Sequence, residues 1–260
     1  MTTTLTSATP TGTVAQPLAG RRALVTGGSR GIGAEIVRRL AAEGASVVFT
    51  YHSSPEQAEK LVAEAVASGA TVQAVQADSG DVEAIEAAVD ETVARLGGLD
   101  ILVNNAGVAH VDAIESFPLE QFDRLVAVNV RGVFAAIRRT VPHLGDGGRI
   151  ITIGSVNADR VPVAGISIYA MTKAAIGGLT RGLARELGPR GITVNNIQPG
   201  PTATDMNPDE GEFADHMRSL TAVGRYGHPR DLASAVAYLA LPEAGFVTGV
   251  TWNIDGGYTL

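Results

Sequence analysis

The sequence predicts a single doubly wound α/β domain, a parallel sheet of about seven strands with helices on both faces. Three observations carry that expectation. Short apolar runs alternate with segments of helical periodicity along nearly the whole chain. The runs are apolar at successive positions, as strands covered on both faces must be. A glycine-rich turn joins the first run to the first helical segment.

The elements follow in order. Ala23-Leu24-Val25-Thr26 is the first strand, and Ile32, Ile36, Val37 and Leu40 then recur at helical spacing. Val47 to Tyr51 forms the second strand, followed by a helix over roughly 55–68, a strand at 71–76 and a helix over roughly 81–96. Next come the strand Ile101 to Asn104, a helix spanning Asn129, the strand Arg149 to Ile153, a long helix from about Tyr169 to Leu187, and the strand Thr193 to Ile197. No linker or shift of composition interrupts the series, so residues 18–260 read as one domain. Residues 1–17 are threonine-rich, lack apolar periodicity and read as a mobile extension.

Composition narrows the classes of function. Hydrophobic residues make up 45% of the 260 and charged residues 18%, enough to bury a substantial core. The net charge of −7 disfavours nucleic acid and anionic membrane as partners, because both repel the averaged field of the protein. No run approaches the roughly 18 apolar residues of a membrane span, and the opening residues lack a secretory signal, so the cytoplasm is expected. The absence of cysteine excludes disulfides, thiolate metal sites and thiol nucleophiles. Five scattered histidines show no zinc-like spacing, and no metal site is expected.

The turn Thr26-Gly27-Gly28-Ser29-Arg30-Gly31-Ile32-Gly33 stands where a strand gives way to a helix. Glycines there let the backbone approach a pyrophosphate, whose charge the exposed amides and the helix dipole stabilise. Enzymes that use NAD place an acid about 20 residues further on to bind the ribose hydroxyls. Here that slot reads Thr50-Tyr51-His52-Ser53-Ser54, with no acid before Glu56. Arg30 can instead meet a 2′-phosphate, with His52 and Ser53 as further donors, so NADP(H) is expected. The plainer alternative leaves Arg30 in solvent and His52 in a surface loop.

Tyr169 and Lys173 stand four apart at the start of a helix and share one face. An ammonium beside a phenol favours the phenolate, which would bring the tyrosine into use as a proton carrier near neutral pH. Such a pair also arises by chance on solvated helices.

Taken together, these motifs resemble the short-chain dehydrogenase/reductase family over about residues 18–260. The glycine turn matches Thr26 to Gly33, an adenine-contacting acid matches Asp78 with Ser79 beside it, and an Asn-Asn-Ala-Gly motif matches Asn104-Asn105-Ala106-Gly107. The helix asparagine is Asn129, the serine Ser155, the YxxxK pair Tyr169 and Lys173, and the Pro-Gly turn Pro199-Gly200; Asp255-Gly256-Gly257 also fits. The resemblance implies a Rossmann-like fold and an oxidoreductase acting on a ketone, aldehyde or secondary alcohol. Ser155 would polarise the carbonyl, Tyr169 would donate the proton, and Lys173 would hold phenol and ribose. Asn129 would position a water feeding Lys173. Asn104 would bridge strands, Asn105, Ala106 and Gly107 would line the cofactor, and Thr202 and Thr204 would contact carboxamide and phosphates or else cap their own loop. Ala109–Asp112, Val156–Ile166 and Met206 to about Thr221 would shape the substrate site.

Within the family the chain looks like the 3-oxoacyl-[acyl-carrier-protein] reductase branch, including Arg190 in Gly188-Pro189-Arg190-Gly191, so an acyl thioester competes with a free carbonyl compound as substrate. The acidic stretch around Asp146 weakens docking of an acidic carrier. Gly154 to Arg160, with Gln198 to Pro201 and Asn207-Pro208, is also similar to cyclic-di-GMP-binding biofilm-dispersal proteins, which makes regulatory nucleotide binding the second expectation. The family further implies a homotetramer. His228 is expected to start a helix rather than act as a base.

Overall fold

Seven parallel strands form one sheet in the computed structural model, which describes residues 16–260. They are β1 (Arg22–Val25), β2 (Ser46–Tyr51), β3 (Val72–Gln76), β4 (Leu99–Asn104), β5 (Leu144–Ile153), β6 (Thr193–Pro199) and β7 (Thr251–Ile254). The order across the sheet is β3-β2-β1-β4-β5-β6-β7, so the winding reverses between β1 and β4. A reversal opens a crevice beyond the carboxyl ends of the two strands, the place where open α/β sheets bind ligands.

Alternate residues of each strand supply two separate cores. Ala23, Val25, Phe49, Ile101, Val103 and Ile151 face one way and pack with α1 (Gly31–Ala42), α2 (Pro55–Ala67) and, beyond the short α7 (Glu212–Ser219), α8 (Pro229–Ala240). Leu24, Val48, Leu102, Ile150 and Val194 face the other way and pack with α3 (Val82–Leu96), α5 (Val133–Thr140) and α6 (Ser167–Leu187). Burial on both faces explains why these strands lack the polar–apolar alternation of a half-exposed sheet.

The helix expected around Asn129 has a more particular form. It begins as α4 (Leu119–Val126), widens into a π-helical turn over Ala127–Gly132, and resumes as α5. Such a turn holds one residue more than an α-turn, and these bulges tend to sit at functional sites. Strand β5 starts at Leu144 rather than Arg149, with Leu144 opposite Leu99 and a shift of register before Ile101 meets Arg149. His228 does start a helix: its Nδ1 accepts from the Arg230 amide at 3.1 Å while Asp231 accepts from the His228 amide at 2.9 Å, a reciprocal cap on α8.

Residues 1–15 of the expected extension lie outside the described residues. Gln16 and Pro17 lead into a turn in which Leu18 is buried and its amide donates to the Glu43 carbonyl at 2.9 Å, at the end of α1. Among the described residues no helix is long and apolar enough to cross a membrane.

Candidate active site

The site begins with Thr26, which follows β1. Its hydroxyl oxygen accepts from the amides of Asn105 and Ala106 at 3.0 and 3.1 Å. The Asn105 side chain returns the bond, donating to the carbonyls of Thr26 and Gly27 at 3.0 and 2.8 Å. The amides of Gly27 and Gly28 donate to the Thr50 hydroxyl and carbonyl at 3.1 and 2.8 Å. The glycine turn is thus fastened to the ends of β4 and β2, across the point where the winding reverses. A Cβ on Gly33 would stand 2.2 Å from the Gly27 carbonyl oxygen and 2.5 Å from Asn105 Nδ2, so only glycine permits this closure. No side chain caps α1 and no acid occupies its first turn. The unneutralised amides and positive dipole end suit a phosphate.

One cleft of about 620 Å³ collects the sequence-predicted residues. It is lined by every residue expected to bind the cofactor and by Ser155, Tyr169 and Lys173. Asn129 is the exception. Its side chain is 1% exposed and lies behind the cleft, where Oδ1 accepts from the Val108 amide at 2.9 Å and Nδ2 donates to the Val108 carbonyl at 2.9 Å and to the Thr172 hydroxyl at 3.1 Å. The side-chain amide is therefore engaged with Val108 and Thr172.

Ser155 follows β5 and is buried; its oxygen accepts from the Asn157 amide at 3.1 Å, which leaves the hydroxyl proton free for an acceptor in the cleft. Tyr169 enters from the first turn of α6 and lines the cleft together with Ser155. Burial pushes the phenol above its ordinary pKa, and the nearby Ser155 hydroxyl offsets this only in part. Lys173, one turn further along, is 5% exposed, and burial lowers its ammonium to about 8. Its Nζ donates to the Ile153 carbonyl at 3.0 Å and lies 5.8 Å from the centre of the Tyr169 ring. In the cofactor-free protein desolvation therefore outweighs the expected acidification and shifts both groups toward their neutral forms, the phenol upward and the ammonium downward. Gly107 keeps that lysine accessible, since a Cβ there would come within 3.3 Å of Nζ.

At the far end of the cleft Asp78 is held by Arg124 through two bonds of 2.8 and 2.9 Å, and this keeps its carboxyl below the ordinary range. His52 Nδ1 lies 3.9 Å away. Arg30 is 59% exposed and stands 3.6 Å from the exposed Asp205. Thr204 accepts from the Asn207 amide at 3.2 Å and Thr202 donates to the Gly200 carbonyl at 2.9 Å, so both threonines brace their own loop while lining the cleft. Asn104 bridges to Thr152 of β5 at 3.4 Å. The three segments expected to shape the substrate site all contribute, with Val111, Pro162, Val163, Met206, Phe213 and Met217 among the lining residues. Arg190 is placed elsewhere: it donates to the carbonyls of Val141 and Leu144 and faces Asp146 at the amino edge of the sheet, roughly 20–30 Å from Ser155 by the rise of β5.

Comparison with known proteins agrees with this geometry. Residues 27–259 match the family described as enoyl-(acyl carrier protein) reductase. The chain is 47% identical over 239 residues to the cyclic-di-GMP-binding biofilm dispersal mediator protein of Escherichia coli K12, covering 92% of this chain and 97% of that one. A short-chain dehydrogenase/reductase from Serratia marcescens superposes with a TM-score of 0.93 at 55% identity, covering 94% of this chain and all of the other. The chain is a short-chain dehydrogenase/reductase. A family member from Burkholderia cenocepacia, solved in complex with NADP, superposes with a TM-score of 0.92 at 51% identity over 94% of this chain and 100% of that one.

In this short-chain dehydrogenase/reductase two lining residues carry no motif of their own. Arg124 reaches Asp78 from α4, 46 positions away in sequence. Tyr258 is buried beneath Arg160, whose guanidinium lies 4.7 Å above its ring. Nothing in their spacing announces either; the topology brings them in. Asn129 by contrast was legible, and its buried bonds make a test. Asn129→Ala is expected to lower the stability of the cofactor-free protein by about 2–4 kcal/mol, seen in chemical denaturation, because the Val108 amide and carbonyl lose their partners.

Proposed function

We propose that this protein is a cytoplasmic NADP(H)-dependent oxidoreductase that reduces the carbonyl of a ketone or aldehyde reversibly to the alcohol. The observation that carries the reading is the placement of Ser155 and Tyr169 together in the lining of the cleft whose other end is the uncapped start of α1. The bound nicotinamide supplies a hydride; the protein supplies the rest. Ser155 donates its free proton to the substrate oxygen and polarises the carbonyl. Tyr169, kept neutral by burial, is in the form that donates a proton to the oxygen as negative charge develops there. Lys173 is charged at neutral pH and stabilises the phenolate left behind, with further N–H groups available to the nicotinamide ribose. Asn129 acts at one remove, by holding Val108 and Thr172 around the lysine.

Fit to the dinucleotide rests on the built turn and on the end of β2. No acid stands there to repel a 2′-phosphate, and Arg30 has only an exposed partner, so its guanidinium is available. The complex of the Burkholderia cenocepacia relative with NADP supports the same choice. A second reading, regulatory binding of a cyclic dinucleotide, draws support from the 47% identity to the Escherichia coli mediator protein. An intact set of Ser155, Tyr169 and Lys173 supports turnover, which a sensor does not need. The assembly we propose is a homotetramer, on the grounds that Phe134 and Met171 are exposed on α5 and α6 and Trp252 on β7; light scattering measures it directly.

Three outcomes are expected. Tyr169→Phe lowers kcat about 10³-fold while NADPH binding, followed by its fluorescence, changes little; undiminished turnover removes the proton-transfer role. Arg30→Ala raises the KM for NADPH about tenfold and leaves that for NADH unchanged, and equal efficiency of the two cofactors with the parent enzyme discards the 2′-phosphate assignment. The third concerns pH. The unfolded chain holds the Lys173 proton up to its ordinary 10.5 and the folded chain only to about 8, so stability rises with pH across that window and the full cost of the buried charge is felt below 8. Lys173→Met should therefore stabilise the cofactor-free protein by on the order of 3 kcal/mol below pH 8, with the gap in melting temperature closing toward pH 10 and no reductase activity at any pH.

A further inference from the structure

The substrate end of the cleft is walled by residues 109–116, 157–166 and 204–219. Toward the cleft these segments present Val111, Pro162, Val163, Met206, Phe213 and Met217, of which Val111, Met206 and Phe213 stay more than half exposed at its mouth. The same segments are acidic. The third segment alone carries Asp205, Asp209, Glu210, Glu212 and Asp215, all exposed, and the other two add three more carboxylates. Within the three segments two arginines face these eight, a surplus of six negative charges; Asp205 lines the cleft itself, 3.6 Å from Arg30, and the others lie on the outer faces of the walls. Both arginines are engaged. Arg160 donates to the Tyr258 carbonyl and lies over its ring, and Arg218 pairs with Asp215 and donates to the Asp209 carbonyl.

Low-dielectric walls rimmed by charge of one sign focus the field at the entrance, and like charges brought together there cost several kcal/mol. The phosphates of a dinucleotide avoid this penalty because their end of the cleft holds the start of α1, Arg30 and Arg124. A substrate has no such alternative. We propose that the rim is a charge filter: the enzyme takes uncharged carbonyl compounds with an apolar body and turns away anionic ones, including keto acids, thioesters borne on an acidic carrier or a nucleotide, and cyclic dinucleotides. The filter rests on the oxidoreductase reading, and it separates that reading from both the carrier-linked and the dinucleotide-binding ones.

Ethyl benzoylformate and benzoylformate present the same ketone with and without a negative charge. With NADPH saturating, kcat/KM for the ester should exceed that for the carboxylate by about 30-fold or more at about 20 mM ionic strength, and the ratio should shrink several-fold at about 0.5 M, where charges are screened beyond about 4 Å. The triple substitution Asp209→Asn, Glu210→Gln, Glu212→Gln removes three rim charges and should raise kcat/KM for the carboxylate about fivefold or more, with the ester within about twofold of the parent. Reduction of the ester, with a carboxylate rate that responds neither to salt nor to the triple substitution, overturns the filter alone. Reduction of neither compound, nor of any other neutral ketone offered, overturns the oxidoreductase reading and the filter with it.

Discussion

The site depends on one small constraint, the reciprocal hydrogen bonding of Thr26 and Asn105 across the reversal in sheet winding. Strands β1 and β4 diverge in their connections at this point, and without a clasp their following loops would be free to part. The Thr26 hydroxyl and the Asn105 amide tie the two loops together with four bonds. Gly33 can then approach the Gly27 carbonyl, α1 can begin with its amides bare, and a crevice becomes an anion-binding cradle. Polar groups buried in this way are stabilising only when every partner is satisfied, and here each half completes the other.

On the opposite wall the governing physics is desolvation. Tyr169 and Lys173 are both pushed toward their neutral forms, the phenol upward and the ammonium downward. The directions favour reduction, since a proton donor must begin protonated, and a lysine near 8 keeps enough charge at neutral pH to receive a phenolate. The protein accepts a buried cation at a cost in stability, a common exchange at catalytic sites.

Much of this was legible in the sequence, for identifiable reasons. Continuous apolar runs located β1, β2, β4, β5 and β6, since a strand covered on both faces has no polar alternation to confuse the pattern. Strand β7 was harder because it lies at the sheet edge and is only half buried. The π-helical turn could not be read at all: Asn129 within it bonds to the backbone of Val108, a contact 21 residues distant in sequence. Motif spacing brought Ser155, Tyr169 and Lys173 to one cleft, yet i,i+4 spacing says only that two side chains share a helix face. It does not say where the ammonium points, and Lys173 points to Ile153. Arg124 and Tyr258 were invisible because tertiary proximity alone recruits them, and the loop of Arg190 belongs to the opposite edge of the sheet.

The widened turn between α4 and α5 also bears on how this lineage can change length. An α-helix advances about 100° per residue, and an extra residue forced into it would turn everything beyond by that angle. The π-turn over Ala127–Gly132 takes up its additional residue in a wider loop of backbone instead, so the rotation is not passed on to α5. Val133, Ala136 and Ile137 keep their packing against the sheet. A one-residue change of length in this stretch can therefore be absorbed where it occurs, while the layer beyond it stays in place.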